Sequence, residues 1–167
     1  MNIYKEICQQ NLFPNSREKY GERYQDHVME QYRLYIESIN YVSDLKHRAN
    51  SYLLTINTVL LTAAGLSLTK EEFFNPAVWH TVVPAAGLLL SFAWWYTTHV
   101  YKQINRVKFR ILHCIEAHMP FAPYTTEWKI VEDTHSSPRK YPSEKIEPLV
   151  PWIFATLYLL IFFFIRS

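Results

Sequence analysis

Three stretches free of Lys, Arg, Asp and Glu interrupt an otherwise mixed polar chain, and they predict its elements. The first, ANSYLLTINTVLLTAAGLSLT at 49–69, runs about 21 residues, enough for a helix to cross ~30 Å of hydrocarbon at ~1.5 Å per residue. The second, TVVPAAGLLLSFAWWYTTHVY at 81–101, contains His99 as its one titratable histidine, and Pro84 is expected in its first turn. The third, LVPWIFATLYLLIFFFI, is about 17 residues and the most apolar; Pro148 and Pro151 mark its start, and Arg166 can snorkel to the far interface. The fold class expected is an all-α integral membrane protein with three transmembrane helices, a long membrane-entering helix and a cytoplasmic helical region. Its parts are an N-terminal region 1–48, spans at 49–69, 81–101 and 148–166, a short external loop 70–80, and a cytoplasmic helix with a return loop over 102–147.

Flanking charge gives the direction. Lys46 and Arg48 precede the first span, and Lys102, Arg106, Lys108 and Arg110 follow the second, whereas Lys70 in the 70–80 loop is offset by Glu71 and Glu72. The Lys/Arg excess assigns 1–48 and 102–147 to the cytoplasm and the C-terminus to the outside. Trp79, Trp94, Trp95 and Trp152 lie near span ends, where amphipathic rings favour the interface. Residues 1–20 hold no apolar core of signal-peptide length, so the first span is expected to act as an uncleaved signal. Cys8 and Cys114 then face a reducing compartment, and free thiols are expected.

Ahead of the first span the apolar positions keep a helical period. Val28, Tyr32, Tyr35, Ile39 and Val42 step by four and three, a heptad seam that continues to Leu53 and Ile56. One helix from about Glu22 to Leu68 is predicted. The seam packs either on the chain's own 102–118 helix or on a neighbouring subunit; as an oligomer contact it would serve a ring of identical chains. Asn50, Asn57 and, more loosely, Thr58 and Thr62 form an intramembrane polar stripe that either bridges helices or lines water.

After the second span, Ile104, Val107, Ile111, Leu112 and Ile115 make an apolar stripe that Pro120 and Pro123 end. Lys102, Arg106 and Arg110 form a basic face suited to lipid headgroups or to an anionic ligand such as a nucleotide. In HCIEAH (113–118), His113 and Glu116 share one helical face while Cys114 and His118 share another, so no four-ligand metal set converges. Phe121, Tyr124 and Trp128 are expected to pin the return loop to the long helices, and Lys140 and Lys145 to bring it back to headgroups.

Composition removes other function classes. Gly21, Gly65 and Gly87 are the only glycines, too scattered for a phosphate loop, a dinucleotide fold or a nucleophile elbow. Two cysteines cannot make a disulfide scaffold, and 17 Lys+Arg against 15 Asp+Glu is too even for a nucleic-acid binder. A membrane enzyme would need an acid or base beside His99, and no Asp or Glu accompanies it within a span. No catalytic residue, cofactor or metal site is expected.

Four segments in this order carry a resemblance: RANSYLLTINTVLLTAAGL (48–66), YKQINRVKFRILHCIEAHMPFAPYTTEW (101–128), RKY (139–141) and EPLVPWIFATLYL (147–159). Together they resemble the RipA family of octameric bacterial membrane proteins, and they are similar to the SLATT-like small membrane effectors of nucleotide-signalling anti-phage systems. The resemblance implies a non-enzymatic homo-oligomer of eight chains in the bacterial inner membrane, acting in stress response or in host- or phage-related defence. A nucleotide-gated, membrane-permeabilising pore is the alternative it implies. The SLATT-like set has two spans, and a third departs from it.

Overall fold

The computed structural model describes residues 8, 11–67, 76–134 and 146–166, and every element among them is helical. These are α1 (Arg17–Tyr20), α2 (Tyr24–Ser67), α3 (Pro76–Glu116), α4 (Pro123–Thr134) and α5 (Val150–Arg166), with a 3-10 turn at Glu147–Leu149 leading into α5. The charges of the 70–75 stretch, Leu68, the RKY segment, Lys140 and Lys145 lie outside the described residues, as do the side chains of Trp79 and Arg166.

Helix α2 is uninterrupted for 44 residues because its sequence holds no proline and only one glycine, Gly65, near its end. Before it, the Ser16 hydroxyl accepts the Lys19 N–H to cap α1, and Gly21 turns the chain at φ 98°, a region that side-chain-bearing residues avoid. Helix α3 is equally continuous over 41 residues, so the second window and the basic stretch after it are one element. It begins at Pro76, not Thr81, which places Pro84 inside the helix and buried rather than in the first turn.

The return segment also departs from expectation. Pro123, expected to end a helix together with Pro120, instead opens α4. Its ring has no N–H to leave unpaired at a first helical position, and its fixed φ already suits a helix. The stop is real at Glu116, and the restart follows within a few residues.

The chain forms two compact units, one from Met1–Asp44 and Gln103–Arg139, the other from Leu45–Lys102 and Lys140–Ser167. In the first, Tyr32 and Ile39 of α2 are buried against Leu112 and Ile115 of α3, with Leu12, Phe13 and Tyr35 packed around them. Of the two partners open to the heptad seam, these side chains use the chain's own helix. Lys108 sets its ammonium 2.8 Å from the Ser38 hydroxyl and 5.2 Å from the Tyr35 ring centre, while Tyr35 donates to the Lys108 carbonyl at 3.2 Å.

The second unit buries polar side chains among Ala64, Trp94 and Tyr158 and leaves large apolar ones exposed. Asn57, Ser91 and Thr98 are buried, whereas Leu89 is 72% exposed and Val59, Phe92, Leu160 and Phe163 are all more than half exposed. Lys46, read from the sequence as a flanking cation, pairs with Glu147 at the start of the turn before α5. Against the three spans expected, no helix among the described residues is long and apolar enough to cross a membrane. Asn50, Asn57 and the threonines dilute α2; Trp94, Trp95, Tyr96 and two threonines dilute α3; α5 has only 17 residues.

Gly87 fixes how α5 meets α3. A Cβ at this position would collide with the Tyr158 ring, which is itself fully buried. Gly87→Ala is expected to destabilise the protein by about 1–3 kcal/mol, the usual cost of overpacking. The melting temperature of the variant checks this, and an unchanged value would show that Tyr158 does not rest on Gly87.

Candidate functional site

Two buried polar clusters stand out, one in each unit. In the first unit, Glu116 ends α3 with a side chain 1% exposed. Its Oε1 accepts the Tyr32 hydroxyl at 2.9 Å and the Tyr124 N–H at 3.0 Å, and its Oε2 accepts the Thr125 N–H at 2.7 Å and the Thr125 hydroxyl at 2.6 Å. Tyr124 and Thr125 belong to the first turn of α4, so this carboxylate caps a helix other than its own and meets the positive end of that helix dipole. Burial by itself would raise the Glu116 pKa, but the hydrogen bonds from Thr125, Tyr124 and Tyr32 outweigh it and hold the carboxyl below its ordinary range. Burial, then the hydrogen bond to Glu116 and its charge, push the Tyr32 phenol upward; burial alone raises Tyr35.

His113 completes this cluster through Nδ1, 2.9 Å from the Thr125 hydroxyl oxygen. The single Thr125 hydroxyl proton goes to Glu116, which leaves Nδ1 of His113 as the donor. The shared face read for His113 and Glu116 therefore exists, and Thr125 stands between them. Cys114 and His118 do something else. Cys114 is joined to Cys8 in a disulfide with Cα atoms 6.1 Å apart, which corrects the expectation of free thiols. The pairing joins residues 106 positions apart, a distance at which spacing carries no signal. His118 bonds the Cys114 carbonyl at 3.0 Å and lays its ring against Phe13. No group of three or more His, Cys, Asp or Glu among the described residues is placed to hold a metal.

In the second unit, Asn57 sends Nδ2 back to the Leu53 carbonyl at 2.8 Å, and its Oδ1 lies 3.4 Å from the Ser91 hydroxyl. Tyr158 of α5 donates to the backbone carbonyl of Asn57 at 2.9 Å. One turn-pair earlier, the Asn50 Oδ1 accepts from the Trp94 indole at 3.0 Å and faces the Thr98 hydroxyl at 3.4 Å. Trp94 is thus buried on a polar partner inside the unit, whereas Trp152 remains 58% exposed. Asn50 and Asn57 share this inner side. Thr58 and Thr62 do not: both are exposed and bond the carbonyls of Leu54 and Thr58.

The other residues singled out from the sequence fall as follows. Val28, Tyr35 and Val42 are half-buried in the seam beside buried Tyr32 and Ile39. On α3, Lys102 is half-buried while Arg106 and Arg110 are exposed. Sequence reading missed the role of Glu116, whose partners lie 84, 8 and 9 residues away. It also missed the indole-to-amide pair of Trp94 and Asn50.

Residues 29–166 match the family model described as the octameric membrane protein family (8xMP). No curated protein and no solved structure matches the chain.

Because the folded pKa of Glu116 is depressed, its contribution is complete above the ordinary carboxylate value of about 4.3 and is lost as pH falls through the folded value. Glu116→Gln keeps the shape but turns a donor toward the N–H groups of α4, and it is expected to cost about 1.5–3 kcal/mol at neutral pH. Thermal melts from pH 7 to pH 3 check this. The parent should lose stability toward acid more steeply than the variant; identical pH profiles would remove the charge from the account.

Proposed function

The chain belongs to the octameric membrane protein family (8xMP), and from that premise we propose that it is a non-enzymatic, homo-oligomeric component of the bacterial inner membrane. The observation that carries the membrane reading is that the second unit buries Asn57, Ser91 and Thr98 while Leu89, Phe92, Leu160 and Phe163 stay exposed. Water would favour the opposite arrangement, with Asn57 out and Leu89 in; hydrocarbon favours this one, because polar groups there must find partners within the protein. Thr55, Thr58, Thr62 and Thr156 each bond the carbonyl four residues earlier, so their hydroxyl protons are satisfied without water. The spans are 49–69, 81–101 and 148–166, with 1–48 and 102–147 on the cytoplasmic side.

The ring is proposed from the family's octameric name. The likeness to RipA and SLATT-like proteins, carried by the quoted segments, supports a role in stress response or defence. One feature favours the second reading, a ligand-gated pore. Ser51, Thr55, Thr58 and Thr62 line an exposed face of α2, and their oxygens could face water in a ring. Lys102, Arg106 and Arg110 would then offer charge to a nucleotide or a lipid headgroup.

Two measurements test the proposal. In mild detergent the protein should run at the mass of eight 19.9 kDa chains, and a monomer mass would overturn the ring. In intact cells, a Glu30→Cys probe in a Cys8→Ser, Cys114→Ser background should resist a membrane-impermeant maleimide; labelling from outside would overturn the orientation. Dye-filled liposomes separate the readings, since leakage on adding a nucleotide favours the pore and a tight vesicle favours the structural ring.

A further inference from the structure

The segment ahead of α2 lies outside the stretch that matches the family, yet it is fastened to that stretch. Cys8 is bonded to Cys114 of α3. Leu12 and Phe13, both half-buried, pack on the core of Tyr32, Ile39, Leu112 and Ile115, and the Phe13 ring lies 4.7 Å from that of His118. Between this segment and the start of α2 is a groove of about 140 Å³ that includes Leu12, Phe13, Tyr24, His27 and Val28. The other attachments are slight. α1 is four residues with none buried, and the Tyr20–His27 hydrogen bond at 2.7 Å is exposed to solvent. Contacts of this kind open locally at low cost, so the covalent bond decides whether the segment stays in place.

The cytoplasmic placement of 1–48 and 102–147, on which this inference rests, sets the cysteine pair in a reducing compartment. Disulfides there are transient and serve redox sensing, whereas structural ones belong to oxidising compartments. We propose that Cys8–Cys114 is a redox clasp: closed, it holds residues 11–23 over Val28 and Tyr32, and open, it releases them and uncovers that end of the seam. Opening is thiol–disulfide exchange. A thiolate of a dithiol reductant attacks one sulfur, the Cys8–Cys114 bond breaks, and the departing sulfur takes up a proton. The second thiol of the reductant then resolves the mixed disulfide, so two electrons and two protons pass to the clasp and the reductant leaves as a disulfide. Closing is the reverse, with a low-molecular-weight disulfide as the electron acceptor. Both cysteines are half-buried, so neither is sealed from a reagent.

Limited trypsin digestion of the full-length protein in detergent tests the release, because Arg17, Lys19 and Arg23 lie in or beside the segment. Cleavage there should run at least about tenfold faster after dithiol treatment than in the oxidised protein. Cys8→Ser, whose change lies outside both long helices, should be cleaved fast in either condition while keeping the parent's oligomer mass. Equal rates for oxidised and reduced parent would overturn the clasp. In cells quenched with acid and tagged with a maleimide polymer, the pair should take two tags during untreated growth and none after a pulse of the thiol oxidant diamide. A pair that stays open after the pulse overturns the switch, and so does one that is closed without it. In the second case the Glu30→Cys probe identifies the failed premise: inaccessible from outside, the redox reading is wrong; accessible, the cytoplasmic placement is wrong and the disulfide is a fixed staple.

Discussion

An amide has two donors and an acceptor, and burying them away from water costs free energy unless the protein supplies partners. Asn57 has no exposed surface, and the arrangement of the second unit follows from that need. Its nitrogen closes on its own helix, its oxygen faces Ser91 on α3, and its backbone carbonyl takes the phenol of Tyr158 on α5. Three helices therefore converge on one residue: its own through the Leu53 carbonyl, α5 through the Tyr158 phenol, and α3 through Ser91, whose hydroxyl also donates to the Gly87 carbonyl at 2.9 Å. Asn50 repeats the device with an indole and a hydroxyl from α3. A leucine at either place would fit an apolar environment but would leave the register of α3 against α2 to shape alone.

The first unit meets the same constraint with a charge. A carboxylate buried beside apolar side chains is tolerable only if its oxygens are saturated, and Glu116 accepts four hydrogen bonds. Two come from the orphan N–H groups at the start of α4, which need an acceptor as much as Glu116 needs donors. The Tyr32 hydroxyl adds α2 to the cluster. The chain can thus stop a helix at Glu116 and start another at Pro123 without leaving the connection loose.

Some of this was legible in the sequence. The two long helices were, because a helical period without proline in α2 admits little else, and the end of α3 was marked by Pro120. The shared side of Asn50 and Asn57 was visible in their seven-residue spacing. Thr58 and Thr62 were grouped with them too generously: one and five residues beyond Asn57 lie roughly 100° and 140° around a helix, toward its outer face. Helix α4 was hidden because Pro123 punctuates a stop and a start alike, and the residue that settles the matter, Glu116, is separated from it in the sequence. Trp94 read as an interfacial anchor because its position near a span end was visible and its partner, 44 residues away, was not. The disulfide was illegible for the same reason, being a product of the fold and not of local pattern.

The fit of Gly87 beneath Tyr158 has a consequence for how such a sequence can change over time. The space between α3 and α5 is one volume divided between two positions, with nothing assigned to one and a phenol to the other. Neither can drift independently. A lineage that gains a side chain at the glycine must shrink the ring opposite, and in shrinking it gives up the hydroxyl that reaches the carbonyl of Asn57. The two sites should therefore vary as a pair, and a chain that has left the Gly–Tyr combination must hold its last helix by some other bond.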